Sequence, residues 1–315
     1  MKLVPIALFF IFPVLLFSQY SVELRDEKSD DYEYVVGVNL ALALIEVRSN
    51  GCSIISGIAQ DIRPGGDELV KHIDFFVNDW MTGRREGAKD VLPLVFNTRV
   101  SNKAARNEKP FEGVRLEVGR RLIVSYCPET DFTRIALSDE SYFPIVKEVI
   151  EYDAFDLFEE SSDKILDRIK LEKNLIFEGY IIERFSRMGT AGNVNNRAKV
   201  LVELLGNKAI PKTGWGRISG QLDYLLSSES DLLPSIREKI TEKLVMMGSG
   251  RNREEAEQAI ALLVSTSQKN KTDIAPFLND ENRTNLIQNY ELLVKEKFLP
   301  QERTKFEEKL RSKNR

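Results

Sequence analysis

The hydrophobic period of the chain changes near residue 142, and that switch limits the fold more than any other feature. Up to about Leu137 apolar residues alternate with polar or small ones, as they do along half-buried strands. After Tyr142 they recur every three or four residues, as on the buried stripe of a helix. Strands gathered in one half and helices in the other predict an α+β protein rather than a doubly wound α/β one. The expected plan is a small antiparallel β-barrel or sandwich followed by an all-α helical layer or solenoid.

In the first half, Val38, Leu40, Leu42 and Leu44 alternate with Asn39, Ala41 and Ala43. Asn50-Gly51 follows, a strong signal for a tight hairpin. Further strands are expected over Cys52 to Ile62, Val70 to Trp80, Val91 to Val100, and a long run through Val114 and Tyr126 bent near Gly119. A short last strand is expected over Phe132 to Leu137. Pro93 places its strand at a sheet edge or a strand start. In the second half, helical spacing covers Asp163 to Met188, Asn195 to Leu205, Arg217 to Leu226, Leu233 to Met247, Arg253 to Thr266, Glu281 to Lys297 and Gln301 to Lys313.

The first residues set an address. Lys2, an apolar run from Leu3 to Phe17 and the small Ser18 have the layout of a secretory signal peptide. The run is shorter than the roughly 20 residues that span a bilayer, so cleavage rather than anchoring is expected, with a mature start near Gln19. The expected division is therefore 1–18 signal peptide, 19–33 linker, 34–142 β domain and 143–315 helical domain. Export to the periplasm or beyond permits a disulfide, and Cys52 and Cys127 are the only two cysteines. Their bond would close a loop of about 76 residues, worth about 4 kcal/mol in the chain-entropy account.

Composition removes several chemistries. Lys plus Arg number 45 against 49 Asp plus Glu, a net charge of -4 that argues against nucleic acid as a partner. The single histidine, His72, excludes paired-histidine zinc sites, and two cysteines exclude a four-cysteine one. His72 should lie on the strand surface, facing away from Ile73 and Phe75. The acidic run Asp153, Asp156, Glu159 and Glu160 lacks the spacing of a calcium loop. Gly248-Ser249-Gly250-Arg251 opens a helix after another helix and has no nucleotide-loop lysine. No catalytic residue, metal site or cofactor is predicted.

Two stretches, Phe75 to Gly83 (FFVNDWMTG) and Val118 to Val124 (VGRRLIV), resemble the OB-like barrels of exported bacterial envelope proteins and, more distantly, netrin-type or tissue-inhibitor domains. The resemblance covers about a third of the chain and implies a barrel that meets partners through a face or rim. Tissue-inhibitor domains act through an N-terminal cysteine, which the expected mature start lacks, so that activity is not carried over. In the second half, MGTAGN at Met188 and MGSGRN at Met247 each precede a helix, 59 residues apart. Helix pairs at such an offset resemble HEAT-type arrays.

These readings predict an exported bacterial envelope protein that acts as a non-enzymatic protein-interaction module, with a protein partner and no integral membrane segment after cleavage. The candidate contacts are the aromatic residues Trp80 and Trp215 and the basic pairs Arg84, Arg85 and Arg120, Arg121. The basic pairs stand at strand ends and bends, and Trp215 lies between Gly214 and Gly216 in an expected loop. Two alternatives stay open. One is a glycan-directed hydrolase with a carboxylate pair in the helical half. The other is an enzyme inhibitor acting through the barrel rim.

Overall fold

A computed structural model gives the architecture. It describes residues 30–66, 70–83, 88–97, 117–127, 136–154, 162–172, 174–187, 193–205, 207, 210, 212–227, 232–269 and 273–312. The expected signal peptide, Arg84, Arg85 and part of the acidic run lie outside these residues. The fold is α+β, with one antiparallel sheet and a layered set of helices.

The first element corrects the sequence reading. Residues Asp30–Asn50 form a helix, α1, where alternation predicted a strand. Tyr32 and Val36 pack against the sheet, while Leu40, Ala41, Ala43 and Leu44 pack among the helices. A helix held between two layers is apolar nearly all round, so its stripe vanishes, and chance alternation then imitates a strand. Its 21 residues are far longer than an ordinary strand. The Asn50-Gly51 signal also changes meaning. Gly51 has a φ of 60° and follows the last helical residue, where a left-handed residue ends a helix.

The strands are β1 (Ser53–Pro64), β2 (Val70–Trp80), β3 (Val91–Asn97), β4 (Arg121–Tyr126) and β5 (Ala136–Asp139). They lie in the order β3-β2-β1-β4-β5, with all neighbours antiparallel. The sheet is open: β3 and β5 are its edges among the described residues, and it does not close into the expected barrel or fold into a sandwich. Pro93 sits on the edge strand β3, where its missing N–H interrupts no inner ladder. The Cys52–Cys127 disulfide ties the residue before β1 to the residue after β4.

Nine helices follow among the described residues: α2 (Phe143–Ala154), α3 (Ser162–Glu172), α4 (Leu175–Arg187), α5 (Val194–Leu204), α6 (Lys212–Ser227), α7 (Pro234–Gly248), α8 (Arg253–Gln268), α9 (Asp280–Asn289) and α10 (Pro300–Arg311). From α3 onward they stack in two layers. One layer runs α3-α5-α7-α9 and the other α4-α6-α8-α10, with α1 packed on α4 at the end of the second. The 59-residue echo has a local cause. Asn193 and Asn252 each accept backbone N–H bonds as N-caps of α5 and α8. That offset also sets α4 against α7, which lie in different layers, so the stacking unit is the hairpin α5–α6 or α7–α8 instead.

The tightest contact is the crossing of α1 and α4. A Cβ on Gly37 would lie 1.9 Å from the Ile176 carbonyl oxygen, and one on Gly179 would lie 2.3 Å from that of Tyr34. Two glycines, one from each helix, let the backbones touch. This crossing joins the sheet side to the array, and the larger of two core clusters, which holds Ile54 and Ile123, runs on into the helices across the sequence boundary at 142.

Candidate functional site

Two bulges decide what the sheet shows to solvent. Ile55, Ala59, Ile73, Phe75, Val77, Leu92, Leu94, Leu122 and Val124 all point to the inner core. Strict alternation from Ala59 would also send Asp61 and Arg63 inward. A register shift between Ala59 and Asp61 turns them outward instead, as bulges commonly do.

The outer face then carries three cross-strand rows. Arg121, Ile58, Phe76 and Val91 lie in register across four strands. Asp61, Asp74 and Pro93 form the next row, and Arg63, His72 and Val95 the third. Arg63 is forked between two carboxylates, with Nε 3.1 Å from Asp61 Oδ2 and Nη2 2.6 Å from Asp74 Oδ1. Arg63, Pro64, His72, Asp74, Pro93 and Val95 border a shallow depression of about 240 Å³, floored by Ile73 and Leu94. His72 is exposed, as expected. A band of partly exposed apolar side chains beside fixed charges is suited to contact with another macromolecule.

The residues singled out from sequence do not converge. Trp80 lies opposite Ile55 because a second register shift, between Ser56 and Gly57, turns it to the inner face. There its ring meets Tyr126 edge-on with centroids 6.0 Å apart. Trp80 and Arg121 therefore occupy opposite faces of the sheet. Arg121 opens β4 on the outer face, and Arg120 is half-buried in the preceding turn. Trp215 is 4% exposed and sits inside α6 rather than in a loop. Gly214, which suggested a loop, is a helical glycine that makes room for the Tyr34 ring, 2.9 Å from its would-be Cβ.

The sequence reading missed a seam of buried charge along α4, where every residue from Ile176 to Phe185 is buried. Asp153, at the end of α2, is 3% exposed and lies 2.7 Å from Arg48 Nη2 and 3.2 Å from Arg184 Nε. Tyr180 donates its hydroxyl to the same carboxylate, and burial followed by the Asp153 charge pushes that hydroxyl well above its ordinary pKa. Glu183 is fully buried and pairs with Arg187, 2.9 Å away, and with Arg217. Both oxygens of Glu178 accept from Asn207 Nδ2 at 2.9 Å. Burial pushes Glu178 up to about 7, against a smaller opposing pull from that bond. Trp215 in turn donates from Nε1 to the Asn207 carbonyl at 3.1 Å, fixing the residue whose side chain holds Glu178. No periodic signal marks such a seam, because its charges sit at positions that read as solvated faces.

A further group lies at the base of the sheet. Glu46 on α1 places Oε2 3.8 Å from Cys127 Sγ, beside the disulfide. The Glu46, Cys52 and Cys127 donor atoms all fall within 4.8 Å of one another. No helix among the described residues is long and apolar enough to cross a membrane. Comparisons with protein families, curated proteins and solved structures find no match for this chain.

Proposed function

We infer that the chain is an exported protein, periplasmic or extracellular, that works by binding another protein through the outer face of its sheet. The observation that carries this reading is the register of Ile58, Phe76 and Val91 beside Arg121 and the Arg63 fork. Apolar side chains half-buried or exposed on a rigid sheet, next to charges already held in place, form a surface that needs little ordering on binding. The disulfide supports the export part of the reading, since such bonds persist in oxidising compartments. The helical array braces the sheet through α1.

The test is in-cell cross-linking of the tagged full chain, followed by purification and mass spectrometry of the linked peptides. The expected result is one recurrent protein at near-stoichiometric yield, with links on β1–β3, and its loss in a Val91→Asp variant. Links that map only to the helices would overturn the role of the sheet face. Failure to capture any protein, together with turnover of a polysaccharide, would overturn the interaction reading in favour of a hydrolase.

A further inference from the structure

We propose that Pro93 guards the open edge of the sheet, keeping a second copy of this chain from adding its own strand to β3. Among the described residues β3 pairs with β2 alone, so its other side is open. Natural edge strands are defended by lysine, by a bulge, by being very short or by proline. The seven residues of β3, VLPLVFN, carry no charge, and their register with β2 is unbroken. Proline is the one defence that the strand contains. Without it the run from Val91 to Phe96 is aliphatic or aromatic throughout, the composition of segments that pair with copies of themselves.

The ladder shows which way the missing N–H would point. Val77 donates its backbone N–H to the Asp90 carbonyl at 2.7 Å, so these opposed residues are a hydrogen-bonded pair. Bonded and non-bonded pairs alternate along an antiparallel ladder. With Phe76 opposite Val91, the backbone groups of Leu92 and Leu94 turn toward β2. Those of Val91, Pro93 and Val95 turn to the open side. Pro93 therefore takes no bond from the sheet and removes a donor from the edge alone. Side-chain exposure agrees with an accessible edge: Val91 and Pro93 are exposed and Val95 is half-buried.

The cost to an incoming copy falls at the middle of the strand. A copy laid antiparallel with the two-fold axis at residue 93 would set Val91 against the copy's Val95, and proline against proline. Opposed residues in bonded positions exchange a pair of backbone bonds, but the proline pair exchanges none and leaves its carbonyls facing each other. Moving the axis to residue 94 sets Pro93 against the copy's Val95, and each such pair loses a bond. Both registers are thus broken near their centre, where a short strand has no bonds to spare. The apolar side chains would otherwise favour the pairing. This inference does not depend on which face binds a partner.

The test restores the donor with Pro93→Val in the full chain. Self-association is followed by sedimentation velocity, and backbone amide exchange by NMR. In the parent, the Val91 and Val95 amides should exchange much faster than those of Leu92 and Leu94, which are bonded to β2. Pro93→Val should associate at a concentration at least about tenfold lower than the parent. Its Val91 and Val95 amides should gain protection as it associates. Adding Val95→Lys should return the chain to parental behaviour, because an edge lysine resists pairing. A Pro93→Val chain that associates no more than the parent would overturn the proposal. So would association that leaves Val91 and Val95 unprotected, or that Val95→Lys does not reverse, since the contact then lies elsewhere. The unfolding midpoint of Pro93→Val should not fall, because the position takes no bond from β2. Association accompanied by a lowered midpoint would point to an opened core and count against the guard.

Discussion

The sheet and the α4 seam stabilise the protein by different means. The sheet buries one face along its length and the Ile54–Ile123 end of the other, keeps its charges on the exposed remainder, and is closed by a covalent bond at its base. The seam buries Glu178, Glu183, Arg184 and Asp153 among helices and holds them with hydrogen bonds and opposite charges. One region is therefore exposed to the redox state of its surroundings and the other to pH. The first difference also bears on function. Charges in the seam are consumed by one another, whereas the outer sheet face presents charge and apolar surface together to solvent. At the α1–α4 crossing the two regions meet backbone to backbone.

The largest effect is expected at that crossing. Gly37→Val puts side-chain atoms where the Ile176 carbonyl stands, 1.9 Å from an ideal Cβ. It should cost more than about 4 kcal/mol and prevent cooperative folding of either region, measured by chemical denaturation. Retention of a parental midpoint would mean that the two helices do not cross there.

Removing the staple addresses the sheet alone. The double variant Cys52→Ser with Cys127→Ser should lose about 4 kcal/mol in the chain-entropy account, and its stability should no longer respond to reductant. A midpoint that still shifts with reductant would locate the redox sensitivity elsewhere.

The seam is sharpened by pH. Glu178 titrates near 7 in the folded chain against an ordinary value of 4.5, so the folded state holds the proton more tightly. Its contribution is then fully present below pH 4.5 and is lost as pH rises through about 7, by up to about 3 kcal/mol. Glu178→Gln should flatten the stability profile between those limits while leaving the reductant response intact. An unchanged slope would remove Glu178 as its source.

The smallest effect is favourable. Gly220 sits on the exposed surface of α6, with nothing within 4 Å of where a Cβ would stand. Gly220→Ala should add about 0.5–1 kcal/mol through helix propensity, with no effect on pH or redox behaviour. The sign contrast with Gly37 separates a glycine required by contact from one that is not.

Much of the plan was legible from residue spacing. Strand β2, the edge position of Pro93, the surface position of His72, the pairing of Cys52 with Cys127 and the succession of helices all follow local rules. Three features were not legible, each for a physical reason. Helix α1 is buried on nearly all sides, so no stripe distinguishes it. The bulges at Ser56/Gly57 and Ala59/Asp61 invert which residues face the core, and no residue type marks them. That inversion sent Trp80 inward and brought Asp61 and Arg63 out. The approach of Glu46 to the disulfide joins it to residues 6 and 81 positions later in the chain, a proximity set by the Gly51 turn and the β1–β4 ladder.

The most direct test of the functional account compares two exposed apolar positions, one on each region. Val91 on the outer sheet face is 40% exposed, and Met246 on α7 is 64% exposed. Each is changed to Asp in the full chain, and capture of the cross-linked partner is quantified against the parent. Loss of capture is expected for Val91→Asp and parental capture for Met246→Asp. Undiminished capture by Val91→Asp with loss in Met246→Asp would contradict it and move the binding surface to the helical array.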